Sequence, residues 1–171
     1  MNITDKALVF ATAAHAAVGQ LRKGSGLPYI VHPVAVAELI QTVTHTPEMV
    51  AAALLHDVVE DTDITIELIR DQFGDVVAHY VAGLTDVSVL TDGNRQVRKA
   101  IDLVHSRIQC AEVQTIKIVD IFLNDRDLRI DDNKFWRSVW HQEKIALVDA
   151  LILADPLLLR LTREQFARYT T

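Results

Sequence analysis

The stretch "AALLHDVVEDTD", residues 52–63, sets one histidine and four carboxylates into a run of apolar helix formers. A helix through this stretch would stack His56 on Glu60, one turn apart. Asp57 would stack on Asp61 in a second column, about 100° around the same helix. Like charges at this spacing repel each other, and an unpaired carboxylate in apolar surroundings is costly. A bound cation reverses both penalties, so we predict a metal site on this helix.

The last acidic residues of the stretch also suit a simpler role. Aspartate is a favoured N-cap, and the next helical pattern, "TDITIEL", covers residues 62–68. We predict that Asp63 caps this helix, while a capping role and a functional role both stay open for Asp61. His56 and Asp57 fit capping less well, because the flanking "ALL" and "VV" imply apolar surroundings.

Helix signals recur along the whole chain and strand signals do not, which predicts an all-α fold. Thr4 is the predicted N-cap of the first helix, and Gly19 is its predicted end. Pro33 suits the first turn of the second helix, and Thr46 with Pro47 suits the start of the third. The predicted helices cover residues 4–19, 33–43, 47–61, 65–74, 75–88, 96–108, 112–128, 131–155 and 156–169, with a loop at 88–95.

The composition suits one globular domain. The chain has 171 residues, of which 50% are hydrophobic, and a chain of this size buries a core without disulfides. We therefore predict a single domain over residues 1–171, in which the C-terminal helices at 131–169 complete or extend a helical bundle. The same apolar helices also suit a subunit interface, so an oligomer stays an alternative.

Charge and cysteine content narrow the function classes. The 17 basic and 23 acidic residues give a net charge of −6 without a basic block, so we expect no nucleic-acid partner and keep a small phosphorylated ligand open. The single cysteine, Cys110, cannot form an internal disulfide, which fits a reducing compartment. The sequence has neither a basic and apolar leader nor an apolar run of the ~20 residues that span a membrane. We therefore expect a cytoplasmic protein.

A metal site needs ligands from elsewhere in the chain. His32 stands at a loop-to-helix junction in "PYIVHP", residues 28–33, where a side chain can project into a cleft. Asp120 is a carboxylate among apolar neighbours in "TIKIVDIFLND", residues 115–125. The alternative for His32 is a structural or exposed role. For Asp120 it is a buried salt bridge with a lysine or arginine, and Lys117 lies one turn away.

These residues occur in an order that resembles a known family. The pattern H…HD…D in an all-α chain resembles the HD-domain metal-dependent phosphohydrolases. Three longer motifs, "GQLRKGSGLPYIVHP" at 19–33, "AALLHDVVEDT" at 52–62 and "KIVDIFLN" at 117–124, resemble the hydrolase domain of the RelA/SpoT alarmone enzymes, particularly the small stand-alone alarmone hydrolases. The resemblance covers about residues 5–127 and implies an HD-domain helical bundle.

The resemblance implies a role for each matching residue and a manganese cofactor. The implied catalytic acidic pair is Glu60 and Asp61. The implied substrate-binding residues are Arg22, Lys23 and Asn124. The implied metal ligands are His32, His56, Asp57 and Asp120, which suit Mn²⁺ or another first-row divalent ion better than a structural zinc.

The residue types agree with a hydrolytic role. A cation lowers the pKa of a nearby water, and Glu60, assisted by Asp61, can position that water or move its proton. Arg22 and Lys23 can supply charge to phosphates, or form a solvated pair in a loop. Asn124 can contact a sugar or phosphate, or cap a helix.

The function that the resemblance implies is hydrolysis of an alarmone of the stringent response. Guanosine tetraphosphate or pentaphosphate would lose its 3′-pyrophosphate, releasing pyrophosphate and GDP or GTP. One alternative keeps the metal site and changes the nucleotide, as in a 5′-nucleotidase, an NADPH phosphatase or a hydrolase of adenosine alarmones. Another is a nucleotide-binding protein of the same fold without turnover.

Overall fold

A computed structural model of the chain describes residues 1–128 and 139–168, and confirms the all-α class. The described part has no strand, only an isolated bridge between Leu21 and Pro28. The α-helices are α1 Ile3–Ala17, α2 Val31–Ile40, α3 Pro47–Leu55, α4 Val58–Asp61, α5 Ile66–Phe73, α6 Asp75–Leu84, α7 Arg95–Arg107, α8 Ala111–Leu128, α9 His141–Ala150 and α10 Pro156–Ala167. A short 3₁₀ helix, Leu90–Asp92, lies in the predicted loop.

Two of the predicted N-caps are wrong, and each is replaced by a neighbour. Asn2, not Thr4, caps α1, because its side chain accepts a hydrogen bond from the N–H of Asp5. Thr65, not Asp63, caps α5 by accepting from the N–H of Leu68. In both cases two residues with a suitable side chain lie within a few positions of each other. The residue that caps the helix also has extended backbone geometry.

The predicted boundaries with proline or glycine are confirmed. Thr46 caps α3 with Pro47 behind it, and Pro33 lies in the first turn of α2. Gly74 follows α5 at φ 86°, in the left-handed region that glycine adopts without a steric penalty. Residues with unusual backbone preferences therefore gave the most reliable boundaries.

The predicted helix over residues 131–155 agrees only in part with the structure. Residues 131–138 lie outside the described part of the chain, as does Tyr169 at the end of the next predicted helix. The described part, α9, ends at Ala150, because Leu151 leaves the helical region at φ −86° and ψ 59°. Asp155 then caps α10 by accepting from the N–H groups of Leu157 and Leu158.

The chain divides into two compact units, residues 1–85 and 86–171. The first unit is built around α3, whose residues 49–55 are all buried. A helix that is apolar on all sides belongs inside a fold, and α1, α2 and α6 pack against α3. α5 packs on α6 and buries Ile69 and Phe73. The C-terminal end of α3 is therefore a buried position, and His56 follows it directly.

The second unit packs α10 against α8 and α9, and α7 against α9 and the 3₁₀ helix. Asp102 on α7 holds the segment that precedes the 3₁₀ helix. Its carboxylate accepts from the N–H groups of Val87 and Ser88, from the Ser88 hydroxyl, and from Lys99 at 3.1 Å. Asp102 is itself buried, and these donors satisfy its carboxylate.

We expect Asp102→Ala to lower the free energy of unfolding by about 1 to 3 kcal/mol, because it removes the hydrogen bonds that this carboxylate accepts from Val87, Ser88 and Lys99. The midpoint of urea unfolding measures this change. Asp149→Asn is the matched control, since Asp149 forms an exposed ion pair with Arg163 at 3.4 Å, and such pairs contribute little. Equal midpoints for the two variants would contradict a structural role for Asp102.

None of the described helices is both long enough and apolar enough to cross a bilayer.

The single domain over residues 1–171 stays a prediction.

Candidate metal centre

The histidine and aspartate of "AALLHDVVEDTD" lie in a turn between two helices. The predicted single helix over residues 47–61 is wrong, because α3 ends at Leu55 and α4 begins at Val58. The ring of His56 hydrogen-bonds through Nδ1 to the carbonyl of Ala53 at 2.8 Å. An uninterrupted helix would offer that carbonyl to the N–H of Asp57. The histidine side chain thus competes with the helix that carries it.

The turn brings together three of the four predicted metal ligands. His32, His56 and Asp57 each offer one ligand atom, and these atoms lie within 4.8 Å of one another. Asp57 Oδ2 lies 2.9 Å from His56 Nε2 and 4.0 Å from His32 Nε2. Donors that share one ion at about 2.1 Å each lie on the order of 3 to 4 Å apart. Both histidines are only 3% exposed, so the cluster is built into the fold.

The ring orientation of His56 suits metal ligation. A carbonyl oxygen can only accept, so Nδ1 carries the hydrogen in the bond to Ala53, and Nε2 of the neutral ring presents a lone pair. That lone pair faces a carboxylate oxygen of Asp57 at 2.9 Å. A cation between the two atoms relieves their repulsion, and a carbonyl behind the ring is the usual partner of a ligating histidine. The same distance suits an ion pair with protonated His56, and metal analysis separates these two states.

Asp57 is oriented by a residue that the sequence analysis did not identify as functional. The hydroxyl of Tyr29 donates to Asp57 Oδ2 at 2.5 Å. Tyr29 precedes His32 by three residues, and the N–H of His32 donates to the carbonyl of Tyr29 at 3.0 Å. The loop before α2 therefore contributes both a ligand and the hydrogen bond that orients another ligand.

The predicted acidic pair lies on α4, directly after the turn. Glu60 and Asp61 are both exposed, and the N–H of Asp61 donates to the carbonyl of Asp57 at 3.0 Å. The side chain of Gln20 donates to Asp61 Oδ2 at 2.7 Å. Asp61 caps no helix, since Thr65 caps α5, so the capping alternative is wrong for Asp61. Both carboxylates are accessible to water and substrate.

The predicted substrate-binding residues of the first motif lie in the loop between α1 and α2. Lys23 is exposed, whereas Arg22 is half-buried, with its guanidinium 5.6 Å from the centre of the Tyr29 ring. The backbone of Arg22 closes the loop by donating to the carbonyl of Leu27 and accepting from the N–H of Gly26. Arg22 is thus held on the same tyrosine that contacts Asp57.

The remaining predicted residues lie in the second unit, on α8. Asp120 is 8% exposed, and its Oδ1 accepts a hydrogen bond from Asn124, one turn further along. Lys117, the alternative ion-pair partner, lies 3.9 Å from Asp86. Burial alone would raise the pKa of Asp86, but Lys117 and other lysines outweigh it and lower that pKa. Burial, together with repulsion from Lys117, lowers the pKa of Lys144, and Asp120 partly offsets this.

The residues that sequence reasoning missed are Gln20 and Tyr29. Gln20 and Tyr29 belong to the motif "GQLRKGSGLPYIVHP", close to the predicted site residues Arg22 and His32. Their roles depend on side-chain hydrogen bonds across 28 and 41 residues of sequence, and no local pattern predicts such bonds. The motif contains polar residues besides its charged ones, and this is the signal that could have pointed to Gln20 and Tyr29.

Comparisons with known proteins identify the family of the chain. The family model described as HD domain matches residues 7–130. The chain is 40% identical over 121 residues to a protein of Synechocystis sp. named "Probable guanosine-3′,5′-bis(diphosphate) 3′-pyrophosphohydrolase", covering 71% of this chain and 15% of that protein. It is 39% identical over 117 residues to a guanosine-3′,5′-bis(diphosphate) 3′-pyrophosphohydrolase of Vibrio cholerae, covering 68% and 16%. The chain thus spans about a sixth of these bacterial relatives.

Shorter relatives match over most of their length. A guanosine-3′,5′-bis(diphosphate) 3′-pyrophosphohydrolase of Danio rerio is 35% identical over 150 residues, covering 84% of this chain and 81% of that protein. A solved structure of a metazoan ortholog of SpoT, which hydrolyzes ppGpp and plays a role in starvation responses, superposes with a TM-score of 0.85. It is 26% identical and covers 98% of this chain and 95% of that one.

Proposed function

The chain belongs to the HD-domain family, and from that premise we propose that it hydrolyses the 3′-pyrophosphate of guanosine tetraphosphate or pentaphosphate, releasing pyrophosphate and GDP or GTP. The observation that carries this proposal is the cluster of two buried histidines, His32 and His56, with Asp57, in which a histidine nitrogen faces a carboxylate oxygen. The substrate comes from the relatives, since proteins named for this reaction include one of similar length.

We propose that the cluster holds a divalent cation, with Asp120 as the fourth ligand and Mn²⁺ as the ion. Two imidazoles with two carboxylates suit a first-row divalent ion. Such an ion supplies positive charge that lowers the pKa of the attacking water and neutralises phosphoryl oxygens. The chain contributes the orientation of the ligands, through the carbonyl of Ala53 behind His56 and the hydroxyl of Tyr29 on Asp57.

We expect Asp120→Ala to lower the affinity for Mn²⁺ by more than about tenfold, since the loss of a ligand costs at least as much as the loss of an outer partner. Elemental analysis of the purified variant and a Mn²⁺ titration measure this. Asp125→Ala is the matched control, because Asp125 is also a buried carboxylate of α8 and accepts from Gln165 at 2.6 Å. Equal metal affinity in both variants would show that Asp120 is not a ligand.

Glu60 and Asp61 are the residues that we propose for water activation. Both are exposed on α4, so water and substrate can approach them. Glu60 positions the attacking water and accepts its proton, and Asp61 assists. Carboxylates in these roles need a fixed direction as well as a charge, and Asp61 is held by Gln20 at 2.7 Å.

Arg22, Lys23 and Asn124 are the residues that we propose for the substrate. The loop that carries Arg22 and Lys23 begins directly after α1 and ends at α2, where His32 lies. Two cations there suit a substrate with several phosphates, and the planar guanidinium of Arg22 can also stack on a base. Asn124 donates to Asp120, and we propose that it also contacts a sugar or phosphate oxygen.

A small nucleotide is the partner that fits this proposal, and the net charge of −6 disfavours a nucleic acid. The single cysteine cannot form an internal disulfide, which favours a reducing compartment such as the cytoplasm. Self-association stays a prediction.

A nucleotide panel, with and without Mn²⁺, tests the proposed function. The panel contains guanosine tetraphosphate, an adenosine alarmone, NADPH and a nucleoside 5′-monophosphate. We expect Mn²⁺-dependent release of pyrophosphate from the guanosine alarmone at the highest kcat/KM. A higher kcat/KM for any other member would contradict the proposed substrate. No turnover of any member would contradict the proposal that the protein is an enzyme.

A further inference from the structure

Asp61 is held by a chain of two hydrogen bonds that begins at a buried histidine of α1. Gln20 Nε2 donates to Asp61 Oδ2 at 2.7 Å, and Gln20 Oε1 lies 2.6 Å from His15 Nδ1. His15 is 1% exposed and plays no part in the metal cluster. We propose that Gln20, oriented by His15, is a positioning residue for Asp61. This inference rests on the proposed function, in which Asp61 assists the attack of water.

The two hydrogen bonds leave only one orientation for the Gln20 amide. An amide has a donating end and an accepting end, and a carboxylate oxygen only accepts. The NH₂ group must therefore face Asp61, which turns Oε1 toward the histidine. Oε1 can only accept, so Nδ1 of His15 carries the hydrogen. A flipped amide would place two oxygens 2.7 Å apart at Asp61 and turn the NH₂ group toward the Nδ1 hydrogen of His15, so both partners oppose the flip.

The end of α1 explains why residues 15 and 20 are adjacent. The N–H of Gln20 donates to the carbonyl of His15 at 3.1 Å, and the N–H of Gly19 donates to the carbonyl of Ala16 at 3.0 Å. These two bonds form a Schellman motif, and Gly19 takes the left-handed conformation that the motif requires, at φ 63°. The turn folds Gln20 back beside the last turn of α1. The backbone of Gln20 is thereby fixed before its side chain contacts Asp61.

Tyr29 fixes the same arrangement from the other side. Its N–H donates to the carbonyl of Gln20 at 3.2 Å, and its ring centre lies 4.8 Å from that of His15. The Tyr29 hydroxyl also donates to Asp57. One loop therefore holds a metal ligand through Tyr29 and an acidic residue through Gln20. The two carboxylates keep their relative positions because both are tied to this loop.

Gln20→Leu tests the proposal, because it removes both hydrogen bonds and keeps a side chain of similar size. We expect kcat for guanosine tetraphosphate to fall about 10- to 100-fold, the usual effect of removing a residue that orients an active group. KM and the bound Mn²⁺ should stay near the wild-type values, since Gln20 contacts no predicted metal ligand in the described hydrogen bonds. An unchanged kcat would overturn the proposal, and so would a loss of metal equal to the loss of kcat.

Variants of His15 separate positioning from a general loss of structure. An asparagine amide can donate from nearly the place of Nδ1, so His15→Asn should retain most of kcat, whereas His15→Leu should behave like Gln20→Leu. Equal kcat values for the two His15 variants would contradict the role of the Nδ1 hydrogen bond. Circular dichroism confirms that each variant folds.

A double-mutant comparison tests whether Gln20 acts through Asp61. In an Asp61→Asn background the carboxylate that Gln20 positions is gone, so adding Gln20→Leu should change kcat by less than about twofold. A merely structural role predicts the same fold-loss in both backgrounds, and that result would overturn the proposal.

The hydrogen-bond chain can also be tested without turnover. Nitrogen-15 NMR of the histidine rings should find His15 hydrogenated at Nδ1, and Gln20→Leu should shift that resonance. If the wild-type protein releases no pyrophosphate, the proposed function fails. This spectrum still shows whether the hydrogen bonds from His15 through Gln20 to Asp61 form. An Nε2-hydrogenated His15, or a resonance that Gln20→Leu leaves unchanged, would overturn the inference.

Discussion

Asp57→Ala should remove the bound metal and lower kcat/KM for guanosine tetraphosphate by at least about 10³-fold, because a metal ion contributes several kcal/mol of transition-state stabilisation. Asp57 is the carboxylate of the described cluster, 2.9 Å from His56 Nε2 and 4.0 Å from His32 Nε2. Without it, only the two imidazoles and the proposed ligand Asp120 remain, a poorer set of ligands for a hard ion such as Mn²⁺. Elemental analysis and a pyrophosphate assay measure the two effects.

Asp63→Ala is the control for this prediction. Asp63 belongs to the same acidic stretch, is exposed, and does not cap α5. We expect this variant to keep its metal and to stay within about twofold of wild-type activity, as for most surface substitutions. Retention of metal by Asp57→Ala would show that the short distance between His56 and Asp57 reflects an ion pair instead of a shared cation.

Glu60→Gln should lower kcat by about 10²- to 10⁴-fold and leave the bound metal unchanged, since general base catalysis contributes an effect of this size. The amide keeps the size and hydrogen-bonding reach of the side chain but cannot accept the proton of the attacking water. Glu60 is exposed and is not part of the three-residue cluster, so metal binding should not depend on it. Steady-state kinetics and elemental analysis of one preparation give both numbers.

The control for Glu60→Gln is Glu38→Gln, an exposed glutamate on α2. This variant should match the wild-type protein in kcat and in metal content. Full activity of Glu60→Gln would contradict the role assigned to Glu60. A loss of metal from Glu60→Gln would reassign Glu60 from the water to the metal.

The sequence predicted three residues that the structure brings together, because the chemistry of these residues is local. A histidine and an aspartate side by side among apolar residues are difficult to explain without a cation, and His56 and Asp57 do lie together in the cluster. The order of the motifs then selected His32, which the structure brings to the same place. The helical class followed from composition and periodicity, which do not depend on tertiary contacts.

The error at the end of α3 arose because a side chain competes with the backbone. The pattern over residues 47–61 is helical throughout, and it does not reveal that the ring of His56 binds the carbonyl of Ala53. Asn2 and Thr65 replaced the predicted caps because a cap depends on backbone angles as well as residue type. Gln20 and Tyr29 were missed for a related reason, since their partners are distant in sequence.

Identifying the products of the reaction tests the proposed hydrolysis most directly. Purified protein is incubated with guanosine tetraphosphate and Mn²⁺, and nucleotides and phosphates are separated by anion exchange. We expect equal amounts of GDP and pyrophosphate, dependent on Mn²⁺ and absent with Asp57→Ala. Intact guanosine tetraphosphate after prolonged incubation, or orthophosphate as the product, would contradict it.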